Sequence, residues 1–380
     1  MPSSRDPALD LLRALAVLLV VAAHTSAFVP PDLFPRVPAA LAGSLGVEVF
    51  FSLSGFLIAR ILLAQEGAFP PAAARRFVAR RWLRTLPLWY AFLAVLALLG
   101  WHVSPHDLVL GHGFVPAIAW HLRHAWSLAV EELFYLALPL AVLALGGGRG
   151  SVARAAGFAL VLGFTLRLGT WFGASPQGFE LELFRTNPVF RIDAAAPGVL
   201  AACWLHRRTA RNASPLDPAA RGALLAAALA LAALVQAATA LMFTLGPTAH
   251  PALVSTLVAA YHVALLPLVN LAAALAILAL AGALPRWRPA AALARWSYGL
   301  YLFHLPIFTV AGPLAQGTAF AGLPAFALSF ALSLALAALS WRWFERPILA
   351  WRDRRLPAPH AAPLAAPPPA VPRLASPAPS

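Results

Sequence analysis

The stretch LDLLRALAVLLVVAAHTSAF, residues 9 to 28, decides the fold class. A helix needs about 20 predominantly apolar residues to cross the hydrocarbon core of a bilayer, and this stretch has that length. Inside it stand Arg13 and His24, with ten residues between them. Eleven helical steps of about 100° make roughly three turns, so both side chains share a face and lie about 16 Å apart along the axis. Ionisable groups in a membrane helix are costly and by default suggest a functional site. The competing reading is that Arg13 snorkels to the headgroups and His24 caps an interface. No small-residue cleavage site before a soluble domain follows the stretch, so it is expected to be a retained span rather than a signal peptide.

Composition extends this reading to the whole chain. Of 380 residues, 61% are hydrophobic and 11% charged, more apolar surface than a soluble protein of this length could hide. The expected fold is all-α, a polytopic membrane protein. The net charge of +14 owes its positive side to Arg alone, since the chain has no Lys. These arginines cluster between apolar segments, which is a topology signal and not a nucleic-acid groove. Cys203 is the only cysteine, which excludes disulfides within the chain and multi-Cys metal sites.

About ten spans are expected, near Leu9–Phe28, Leu45–Ala64, Leu86–His102, Ser127–Leu145, Val152–Phe172, Asp193–Leu205, Ala223–Phe243, Leu253–Leu284, Leu293–Gly312 and Leu323–Phe344. The sixth is short and is expected either to start at Phe190 or to be partly re-entrant, and the eighth is long enough to tilt or break at Pro267. With the N-terminus in the cytoplasm, twenty arginines fall in cytoplasmic segments and four (Arg36, Arg123, Arg185 and Arg191) on the opposite side. That bias favours ten spans with both termini cytoplasmic. Residues 1–356 are read as one membrane-embedded domain, and 357–380, rich in Pro and Ala, as a disordered cytoplasmic tail.

Several motifs stand out along these spans. GVEVFFSLSGFLIAR (46–60) supplies Ser52, Ser54 and Gly55 for close helix packing, and Glu48, which packing explains less well. RRFVARRWLRTLP (75–87) places Arg81 and Arg84 three apart on one helix face, suited to phosphate, although anionic lipid would serve equally. HAWSLAVEELFY (124–135) carries Glu131 about one turn beyond Ser127; Glu132 points about 100° away, so at most one of the two easily faces a given cavity. SYGLYLFHLPI (297–307) puts Tyr301 and His304 on one face, with a purely structural role open for His304. His102, His106, His112, His121 and His124 match no zinc spacing, and no metal is expected.

Taken together the motifs resemble acyltransferase family 3, over almost the whole chain from Leu9 to about Pro347. The family's Arg-(ten residues)-His signature falls on Arg13 and His24, its FFxLSGFLI segment on Phe50–Ile58, and its RxxR pattern on Arg81 and Arg84. WSLxxE falls on Trp126, Ser127, Leu128 and Glu131, R-x-D-A on Arg191, Asp193 and Ala194, SYxLYLxH on Ser297 to His304, and E-R-P on Glu345, Arg346 and Pro347. Glu48 stands where Asp is common, Leu133 where Gln is common, and Pro197 interrupts a usually smooth apolar stretch.

The resemblance implies an integral O-acyltransferase of the bacterial cytoplasmic (inner) membrane. Its donor substrate would be acyl-CoA, with acetyl-CoA the common case. The acceptor would be a carbohydrate, glycolipid or small hydroxylated molecule. Arg81 and Arg84 would then hold the donor, with Arg13 assisting. His24 would serve as general base and Glu131 would orient or balance it. Glu48, Trp126, Ser127, Arg191, Asp193, Tyr301 and His304 would line the pocket. Some family members carry a further soluble domain, so any second activity is expected from another protein. A proton-coupled transporter, or a non-catalytic acyl-CoA or lipid binder, is the alternative. Against the transporter stands the lack of paired interrupted helices in two halves.

Overall fold

A computed structural model describes every residue except 1–5, 29–35, 66, 112–113, 115–119, 174–180, 246–255, 258–259 and 358–380. The expected tail beyond Pro357, Arg5, His112, Arg373 and the start of the eighth predicted span thus lie outside the described residues. The described residues form helices α1 (Pro7–Ala23), α2 (Arg36–Leu63), α3 (Pro71–Leu98), short α4 (Pro105–Leu108), α5 (Trp126–Ala144), α6 (Arg149–Gly173) and short α7 (Leu181–Thr186). There follow α8 (Ala196–Ala210), α9 (Pro218–Leu245), α10 (Leu266–Leu280), α11 (Arg288–Ala315), α12 (Leu323–Ser340) and α13 (Arg346–Arg355).

Eight stretches among the described residues are long and apolar enough to cross a membrane. Two predicted spans fall outside that set for physical reasons. α1 has 17 helical residues before its geometry tightens, about 25 Å of helix. α3 is 28 residues long, but Arg75, Arg76, Arg80, Arg81 and Arg84 occupy its first half. The sixth predicted span begins earlier than Asp193, in a 3₁₀ turn at Pro188–Arg191, and Pro197 sits in the first turn of α8, where its missing N–H costs nothing.

α2 is the hub: it packs against α1, α8 and α10, and touches α5, α6 and α9. Of its apolar window 61% is buried, against 17% for that of α9, which shows lipid-facing leucines such as Leu229 and Leu234. Small residues let the hub pack closely. A Cβ on Gly198 would come within 1.9 Å of the Ser52 carbonyl oxygen, and one on Gly55 within 2.0 Å of that of Ala195. The α2–α8 crossing is therefore a backbone contact that admits only glycine on both sides.

Two prolines are absorbed by widening the helix. A π-turn at Tyr261–Leu265 precedes Pro267, and another at Trp341–Glu345 precedes Pro347 at the same spacing. A proline removes one N–H and crowds the carbonyl four residues back, and a widened turn is one way for a helix to accommodate both. At Pro267, where a tilt or a break was expected, the described residues 260–280 form one helix with a bulge. The last stretch, Leu323–Arg355, runs 33 residues, about 50 Å of helix, well beyond the ~30 Å hydrocarbon core. Its basic end, α13, folds against α3: Arg80 donates to Asp353 (2.8 Å) and to the Leu356 carbonyl, and Arg352 donates to the Arg80 carbonyl (3.3 Å).

Candidate active site

α1 starts cleanly, with the Asp6 carboxylate accepting from Ala8 N–H (2.9 Å) and Pro7 in the first turn. It ends at His24. There the helix tightens into a 3₁₀ turn (His24–Ala27), and the His24 backbone N–H shifts to the Val21 and Ala22 carbonyls. The Val20 carbonyl accepts instead from His24 Nδ1 (2.9 Å). A carbonyl only accepts, so Nδ1 carries the proton of the neutral imidazole. His304, fully buried, repeats the pattern: its Nδ1 donates to the Leu300 carbonyl (3.0 Å). His304 Nε2 therefore faces His24 Nδ1 as an acceptor, at 3.3 Å. Both contacts hold His24 in one tautomer, with the lone pair on Nε2. His124 completes the aromatic group, its ring centroid 5.3 Å from that of His304 and 5.1 Å from that of Tyr301.

On the other side of Tyr301 lies a cavity of about 80 Å³ between α1, α2, α3, α5 and α11. Its wall includes Arg13, Arg81, Arg84, Ser127, Glu131 and Tyr301, six residues read separately from the sequence as site candidates. Ser54, Thr85, Tyr135 and Tyr298 also line it and were not read as site residues. Glu131 accepts from Ser54 Oγ (2.5 Å) and from the Tyr135 hydroxyl. Arg81 lies over the Tyr135 ring, 5.2 Å from its centroid. Glu132 turns aside to accept from Thr85 Oγ1 (2.7 Å), so of the adjacent pair Glu131 is the one on the cavity wall. The expected link between Glu131 and His24 is not among these hydrogen bonds.

The cavity ends at a hydrogen-bonded group. Tyr301 donates to the His124 carbonyl (2.6 Å), and its hydroxyl lies 2.6 Å from Ser127 Oγ. The arginine end and the histidine end thus flank the Ser127–Tyr301 contact. Trp126 packs beside it, under Phe51 at 6.0 Å and beneath the Arg185 guanidinium at 5.2 Å.

Five expected pocket residues, Glu48, Trp126, Arg191, Asp193 and His304, do not line this cavity, and neither does His24. Glu48 and Arg191 form an ion pair, 1% and 2% exposed, with Arg191 donating to Glu48 Oε1 (2.5 Å) and Oε2. Asp193 takes a bidentate pair of bonds from Arg167 (2.8 and 2.6 Å), which also donates to the Phe190 carbonyl (2.6 Å). The two pairs fasten the bend before α8 to α2 and α6. Arg167 escaped the sequence reading although an arginine inside the predicted span Val152–Phe172 was itself a signal. That it pairs with Asp193, 26 residues on, could not be read from the sequence. Among the described residues no group of His, Cys, Asp or Glu is arranged to hold a metal ion.

A polytopic helical membrane protein with a cationic cavity beside a histidine pair is the class that fold and site define. A family profile described as an acyltransferase domain matches residues 6–342, and the chain belongs to acyltransferase family 3. It is 26% identical over 371 residues to peptidoglycan O-acetyltransferase OatA of Listeria monocytogenes, covering 90% of this chain and 55% of the relative. It is 27% identical over 387 residues to YrhL of Bacillus subtilis, named provisionally as a peptidoglycan O-acetyltransferase, covering 90% of this chain and 54% of that one. A protein of Staphylococcus aureus named provisionally as an O-acetyltransferase is 29% identical over 160 residues, 37% of this chain and 25% of the relative. The chain spans about half the length of the first two relatives. No solved structure matches it.

Proposed function

We propose that this chain is an O-acyltransferase that moves an acetyl group from acetyl-CoA to a hydroxyl of a cell-envelope carbohydrate or glycolipid, with His24 as general base. The observation that carries the reading is convergence. Arg13, Arg81, Arg84, Ser127, Glu131 and Tyr301 come from four helices and share one cavity. Family membership supplies the reaction class, and the relatives named for peptidoglycan support a carbohydrate acceptor.

The CoA phosphates dock on Arg81 and Arg84, with Arg13 assisting; guanidinium forks suit phosphate oxygens. The pantetheine arm runs along the cavity toward His24. His24 Nε2 takes the proton of the acceptor hydroxyl while its oxygen attacks the thioester carbonyl. The tetrahedral intermediate expels the CoA thiolate, which takes the proton from His24 as the C–S bond breaks. Transfer is direct, without an acyl-histidine. Glu131, held by Ser54 and Tyr135, balances the arginine charge on the cavity wall. Ten crossings with both termini in the cytoplasm, in a bacterial inner membrane, put the arginine end on the side where acetyl-CoA is made.

The test is acetyl-CoA turnover by purified protein in nanodiscs. His24→Ala should lose about 10²–10⁴-fold in rate, the usual worth of a general base, and keep donor affinity. Arg81→Ala should lose donor affinity. Full transfer by a folded His24→Ala protein sinks the scheme.

A further inference from the structure

Two guanidiniums from different helices converge on one oxygen where α13 meets α3. Asp353 Oδ1 accepts from Arg80 (2.8 Å) and from Nε and Nη2 of Arg352 (3.0 and 2.7 Å). The cations are shielded and the anion is not. The side chains of Arg80 and Arg352 are 17% and 14% exposed, that of Asp353 55%. Backbone carbonyls also tether both arginines: Arg80 donates to that of Leu356, and Arg352 to that of Arg80 (3.3 Å). A carboxylate so exposed adds little to the hold on its partners. The guanidiniums, packed against protein and tied to backbone, keep their direction without it. Together they form an oxyanion position that Asp353 fills from the solvent side.

The place of this position along α3 joins it to the donor cavity. Arg80 and Arg84 are four residues apart, so they share a helix face and lie about 6 Å apart along the axis. Arg84 lines the cavity and lies within electrostatic reach of Arg352 as well as of Glu345. Arg81, next to Arg80 in the chain, lines the cavity too. The convergence point thus stands about one helical turn from the arginines proposed to hold the donor. CoA has two anionic groups on a single ribose, a pyrophosphate and a phosphate monoester. A monoester carries close to two negative charges at neutral pH and three acceptor oxygens. It therefore outcompetes a single carboxylate for two guanidiniums.

We propose that Arg80 and Arg352 bind the ribose phosphate monoester of the donor, with Asp353 as the internal anion that the monoester displaces. This rests on the reading of acetyl-CoA as donor, and adds a second phosphate contact beyond Arg81 and Arg84. A lipid headgroup offers the same phosphate chemistry, and the experiment separates the two.

The test compares acetyl-CoA with acetyl-dephospho-CoA, which lacks only the monoester, on the full chain in nanodiscs of zwitterionic lipid. Binding is measured by thermophoresis. The wild type should bind acetyl-CoA about tenfold more tightly, the usual order for one charge-assisted contact. Arg352→Gln should erase that preference and leave acetyl-dephospho-CoA affinity unchanged, which also shows that the variant is folded. Arg352→Lys should recover part of it. Asp353→Ala should tighten acetyl-CoA alone, whereas Arg81→Ala should weaken both donors. Equal wild-type affinities, or an Arg352→Gln loss shared by both donors, overturn the inference and leave the acetyl-CoA reading standing. So does an Arg352→Gln variant that keeps the preference but loses a stabilisation the wild type gains from anionic lipid, since the occupant is then a headgroup. A wild type that binds neither donor sinks the acetyl-CoA reading and the inference with it.

Discussion

At His24 the chemistry turns on where one proton sits. Val20 and His304 both draw on Nδ1–H, which leaves the Nε2 lone pair for the proposed role as base. A His24 free to exchange tautomers would spend part of its time with the wrong nitrogen toward the acceptor. His304→Ala should therefore lower the rate of transfer about tenfold to a hundredfold, by analogy with other groups that orient a working imidazole. Acetyl-CoA affinity, measured by titration, should stay unchanged; a matching loss of donor affinity would refute the orienting role. At this scale the sequence showed which residues stand out. Arg13, His24, Arg81, Arg84 and Glu131 announce themselves as ionisable groups in apolar surroundings. It was silent about partnership, because His24 and His304 stand 280 residues apart. Glu48, Arg191 and Asp193 carry the same signal as catalytic groups yet are consumed in buried pairs. A lone charge in a span marks importance without saying whether for chemistry or architecture.

Among the elements, the α2–α8 crossing and the Arg167–Asp193 pair have the most at stake. Gly198→Ala forces a methyl group into the Ser52 carbonyl, and overpacking of this kind costs about 1–3 kcal/mol. Gly169→Ala on α6 meets nothing within 4 Å and should be near neutral. Thermal unfolding in one detergent compares them, and equal melting temperatures would remove the close contact from the account. Arg167→Ala strands a buried carboxylate and should cost about 3–5 kcal/mol. Asp353→Ala breaks a pair whose carboxylate is 55% exposed and should cost under about 1 kcal/mol. The same assay ranks those two, and a larger loss for Asp353→Ala would reverse the argument. Gly55 could be read beforehand as a packing residue, since small residues between spans permit close approach. The π-turns could not: Pro267 and Pro347 signal a disturbance, and only the surrounding helices decide whether the chain breaks or bulges.

For the whole molecule, composition and arginine placement already disclosed a helical membrane protein. The crossing count is harder to read, because α1 is short and α3 divides between arginines and apolar residues. Reporter fusions after Leu356 test the proposed topology. Fluorescent protein should glow and alkaline phosphatase stay inactive; the opposite pattern requires an odd number of crossings or an inverted N-terminus.

The Ser127–Tyr301 contact has an electrical consequence. An enzyme that receives one substrate from each side of an energised membrane risks becoming a leak, because a continuous file of water would carry protons down their gradient. With arginines on one side of the contact and histidines on the other, the hydroxyl pair would act as insulation in the proposed reaction: the acyl group would cross the fault line while the voltage is held.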